Sequence, residues 1–134
     1  MADLSTVEGI GETYAKKLKD AGLGSTKALL EKGATPQGRK EIAEKTGISD
    51  KRILRRVNHV DLFRVKGIGG EYAELLEAAG VDTVPELAQR KAENLCQKME
   101  SVNKEKNLVR KPPTQSRVAD WIEQAKKLPR ILSY

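Results

Sequence analysis

Two short stretches carry residues arranged for chemistry. Gly9-Ile10-Gly11 and Gly67-Ile68-Gly69 are each followed by a helical pattern. Glycines at such a turn permit backbone angles closed to other residues and let another backbone come close. Successive N–H groups then face outward at a helix N-terminus, where unsatisfied donors and the helix dipole both favour an anion. A phosphate of a polynucleotide fits such a turn, and no base is read, so binding would be independent of sequence.

Other chemistry is thinly supplied. The chain holds one histidine, His59, and one cysteine, Cys96, which cannot make a zinc site. Cys96 shares an apolar helix face with Leu95 and Met99 and reads as a buried structural thiol. The carboxylates are scattered, with no paired arrangement for acid–base work. Trp121 lies in an apolar arc with Val118, Ile122, Ala125 and Leu128, which marks it as core. No enzymatic activity is expected.

The charges are unevenly spread. Residues 39–66 carry nine basic and four acidic groups, whereas 67–89 carry five acidic groups and no basic one. On a wheel of about 100° per residue, Lys51, Arg52, Arg55, Arg56 and His59 fall on one side of the 50–63 segment. Ile53, Leu54, Val57 and Val60 take the other. In the later segment that aligns with it, Asp120 and Trp121 replace Arg55 and Arg56, so the basic face is not repeated.

The elements that position these groups come in two copies. Shifted by 58 residues, Val7–Ala34 and Val65–Ala92 are identical at eleven positions, including Gly9/Gly67, Ile10/Ile68, Tyr14/Tyr72, Leu18/Leu76 and Gly22/Gly80. Then 48–63 aligns with 113–128, after a slip of seven residues around Pro112 and Pro113. Each copy predicts a helix of about ten residues after the glycine turn, stopped at Gly22 or Gly80. A short helix follows (25–32, 83–90), capped by Ser25 or Thr83. A third (37–46, 93–106) and a fourth (50–63, 115–128) complete the copy. No period-two run of β-branched or aromatic residues appears, so the fold class is all-α.

Composition agrees with packed helices. The chain of 134 residues is 33% charged and 4% aromatic, with a net charge of +6. The positive balance favours polyanionic partners. No apolar run is long enough to span a membrane, and MADLSTVEG does not read as a signal peptide. The single cysteine suits a reducing compartment. The expectation is a soluble cytoplasmic protein.

VEGIGETYAKKLKDAG and VKGIGGEYAELLEAAG resemble the helix-hairpin-helix motif of DNA repair and recombination proteins. The whole chain, from about residue 4 to 129, resembles a family of small bacterial proteins known as domain of unknown function 4332. The matching stretches include TGISDKRILRRVNHVDLFRVKGIG and VADWIEQAKKLP. The resemblance implies two tandem helix-hairpin-helix repeats, and it allows a monovalent cation between hairpin carbonyls and phosphate. The expected arrangement is a single pseudo-twofold domain, with repeats over 1–64 and 65–134. Too few residues precede the first hairpin to supply its leading helix, so helix 115–128 is expected to dock there.

The expected partner is nucleic acid, most of all duplex DNA. Its candidate contacts are Lys66, Gly67, Ile68, Gly69 and Gly70 at the second turn and Gly9, Ile10 and Gly11 at the first. Lys51, Arg52, Arg55 and Arg56 supply charge. Against this, Glu71, Glu74 and Glu77 would repel DNA. The alternative is a protein-interaction or self-assembling scaffold module, in which the acidic 71–86 surface meets the basic 51–66 surface of another copy and the hairpins are only structural.

Overall fold

The computed structural model describes residues 11–133. Eight helices run through the described residues: α1 (Gly11–Asp20), α2 (Thr26–Gly33), α3 (Pro36–Thr46), α4 (Asp50–Leu62), α5 (Gly70–Ala78), α6 (Val84–Ala88), α7 (Ala92–Lys106) and α8 (Gln115–Lys127). The described residues contain no strand, and the fold is all-α.

The helix ends follow from local chemistry that recurs in both copies. Ser25 and Thr83 are extended N-caps whose hydroxyls accept from the N–H of Ala28 and of Glu86. Ser49 and Thr114 do the same for Arg52 and Arg117 at the fourth helix of each copy. Gly22 and Gly80 sit at positive φ after α1 and α5. The next N–H then reaches back over the last turn, from Leu23 to the Leu18 carbonyl and from Val81 to the Leu76 carbonyl, both at 2.8 Å. The third helices stop on left-handed residues too, Gly47 and Asn107.

The chain forms two compact units. One holds the described residues up to Asp61 together with the tail from Ile131; the other runs from Leu62 to Arg130.

In the first unit Leu18, Leu29, Ile42, Ile53 and Val57 are buried almost completely. Gly33 marks the close approach of α2 to α4, since a Cβ there would lie 2.5 Å from Val57 Cγ2. The tail closes the unit at the α2–α3 corner. Leu132 is buried, and the Ser133 N–H donates to the Ala34 carbonyl at 2.8 Å. Arg39, itself buried, donates from Nη1 to the Gly33 carbonyl at 2.8 Å and from Nη2 to the Ser133 carbonyl at 2.7 Å.

In the second unit Val65, Leu75, Leu76, Leu87, Leu95, Met99, Val118 and Trp121 form one apolar core. Helix α8 packs against α6 and α7 here. The expectation that helix 115–128 docks at the first hairpin falls on a turn that lies outside the described residues; α8 belongs to the second unit, and the tail 131–133 to the first. The apolar stripe of Val118, Trp121, Ile122 and Ala125 on α8 is buried in the second unit's core.

Candidate functional site

The second glycine turn is held from below and open above. Ile68 is buried and pins the turn, its N–H donating to the Val65 carbonyl at 3.2 Å. Gly67 and Gly69 are exposed. Gly67 has φ +98°, and a Cβ there would lie 2.9 Å from Trp121 Nε1, so the position excludes side chains twice over. Gln124 grips the neighbouring residue by its backbone. Its Oε1 accepts from the Lys66 N–H at 2.8 Å and its Nε2 donates to the Lys66 carbonyl at 3.2 Å. The Lys66 side chain stays in solvent.

Gly69 is the N-cap of α5 and makes no side-chain cap bond, in contrast to the hydroxyl caps of α2, α3, α6 and α8. The first N–H groups of a helix have no intrahelical acceptor. At α5, from Gly70 onward, they are left to solvent or a ligand. Glu71 lies exposed in this first turn and competes for the same dipole.

The first turn is not comparable, because Gly9 and Ile10 lie outside the described residues; Gly11 is the first residue of α1. On α4, Lys51, Arg52 and Arg55 are exposed and Arg56 is half-buried. His59 does not join them. It is 1% exposed, and every residue of α4 from Val57 to Leu62 is buried. The wheel gives the angular spread of side chains but not the depth to which a helix is enclosed. The basic face is therefore the N-terminal half of α4 alone.

Two features escaped sequence reasoning. Gln124 carries no motif, and its role depends on α8 lying beside the Lys66 turn. Arg39, one of the nine basic residues of 39–66, is a buried fork across two carbonyls. The acidic 71–86 stretch read from the sequence brings Glu77 of α5 and Glu86 of α6 around Asp82. There burial first, then the carboxylates of Glu86 and Glu77, raise the Asp82 carboxyl above its ordinary range. Cys96 fits its expected role: it is buried, and its Sγ donates to the Pro113 carbonyl at 3.6 Å. Burial, and after it Glu100, raises its thiol, so the unreactive protonated form dominates at neutral pH.

Among the described residues no three His, Cys, Asp or Glu side chains gather as a metal site would need, and no helix is long and apolar enough to cross a membrane. The family model of a domain of unknown function, DUF4332, matches residues 8–128. The chain belongs to that family. Its match spans the second glycine turn, the basic half of α4 and all of α8. No curated protein and no solved structure matches the chain.

Proposed function

We propose that this DUF4332 chain is a non-enzymatic nucleic-acid-binding domain of two helix-hairpin-helix repeats that holds the phosphates of duplex DNA without reading sequence. One observation carries the reading. The 66–70 turn exposes Gly67 and Gly69, opens α5 without a side-chain cap and sets an exposed lysine beside it. A phosphate at such a turn gains the N–H donors and the positive end of the dipole. The exposed Lys51, Arg52 and Arg55 of α4 add a sequence-independent attraction. Glu71, Glu74 and Glu77 confine the contact to the turn rather than to the body of α5.

Fluorescence anisotropy with a random-sequence duplex, titrated across salt, tests this. Binding should weaken steeply with salt. In a Lys51→Gln, Arg52→Gln, Arg55→Gln variant the log–log slope should flatten by about one per lost phosphate contact. Absence of binding at low salt would reject the reading.

The crowding of Asp82, Glu77 and Glu86 favours a second reading. Such a surface is relieved by a basic partner, and the basic half of α4 on another copy would be one. Light scattering separates the two: salt-sensitive self-association without DNA supports a scaffold.

A further inference from the structure

The connection between α7 and α8 has no counterpart in the first repeat. Residues 47–49 join α3 to α4, whereas 107–114 join α7 to α8. The longer connection is fixed along its course. Asn103 holds both backbone groups of Val109, accepting from its N–H at 2.9 Å and donating to its carbonyl at 3.1 Å. The Tyr72 hydroxyl donates to the Lys111 carbonyl at 3.2 Å. Val109 and Pro113 are buried.

Between this connection, Tyr72 and the first turn of α8 lies an open cleft of about 450 Å³. Two cations line it, Lys111 and Arg117, with the Ser116 hydroxyl between them in sequence and one carboxylate, Asp120. The carboxylate is engaged, since Asp120 Oδ2 accepts from Gln124 at 2.9 Å. The Arg117 guanidinium lies over the Tyr72 ring, 5.8 Å from its centroid, and Nη1 donates to the Tyr72 hydroxyl at 3.3 Å. Tyr72 in turn packs on Trp121, with ring centroids 5.2 Å apart. The fork is thus oriented by a ring anchored in the core. An oriented guanidinium in a cleft that a lysine and a serine also line suits a tetrahedral oxyanion, with which arginine pairs bidentately.

We infer that this cleft binds a phosphate group, with Arg117 and Lys111 supplying charge and Ser116 a further donor. The site is distinct from the 66–70 turn and does not rest on the DNA reading. A phosphodiester of nucleic acid and a free phosphate share this chemistry.

Amide ¹⁵N–¹H spectra of the full chain test the inference, with inorganic phosphate in one arm and a short DNA duplex in the other. Sodium chloride at matched ionic strength is the control. Either arm should give saturable shifts centred on Lys111, Ser116 and Arg117, and the arm that does so identifies the source. An Arg117→Gln, Lys111→Gln variant should lose them while its other resonances stay in place. Shifts that follow ionic strength alone, fall elsewhere or persist in the variant would overturn the site. Resonances of Gly67, Gly69 and Gly70 report the turn separately, so either proposal can fail alone.

Discussion

The side-chain amide of Gln124 occupies both backbone groups of Lys66, accepting at 2.8 Å and donating at 3.2 Å. It pairs with the turn as a neighbouring strand would. The N–H of Lys66 is thereby removed from the donors available to a ligand, and a candidate site in 66–70 begins at Gly67. Helix α8 thus sets the shape of a turn far from it in sequence.

Replacing Gln124 by alanine removes both bonds and leaves the helices untouched. The expected loss of stability is about 1–2 kcal/mol. Hydrogen exchange at the Lys66 amide should quicken, with helicity unchanged. Unaltered exchange would mean that the turn holds itself.

Gly67→Ala forces an L side chain into a left-handed conformation and against the indole of Trp121. A cost of about 1–3 kcal/mol is expected. Trp121 is the single tryptophan and is 1% exposed, so its fluorescence is a direct readout. The emission should shift to the red in the variant. An unshifted spectrum with unchanged stability would contradict the described packing.

Arg39→Ala strips the donors from two carbonyls, those of Gly33 and Ser133. The first unit should lose about 2–3 kcal/mol in urea unfolding. Lysine should restore only part, because an ammonium cannot span both acceptors as the planar fork does. Removal of residues 131–134 takes away the Ser133 acceptor and the buried Leu132, so it should destabilise the same unit.

Asp82 gives a pH dependence of defined sign. Its carboxyl is raised in the folded chain above the ordinary value of 3.8, by burial first and then by Glu86 and Glu77. The folded state therefore binds the proton more tightly than the unfolded state. The resulting stability is full below the unfolded pKa and is lost as pH rises through the folded one. Asp82→Asn should accordingly raise the melting temperature at pH 7 and give no gain at pH 3. An equal gain at both would exclude the charge as the cause.

The sequence alone determined the elements and their ends. Ser25 and Thr83, the Gly22 and Gly80 stops, and the apolar stripes of α4 and α8 placed the described helices within a few residues, because caps and periodicity act over one or two turns. Tertiary structure decided which surfaces those helices keep. His59 lies on the charged side of the α4 wheel yet is enclosed. Arg39 has the composition of surface and the position of core. The tail 131–133 joins the first unit while α8 stays in the second. Each outcome depends on partners distant along the chain, whose apolar volume and open carbonyls exist only once the packing has formed.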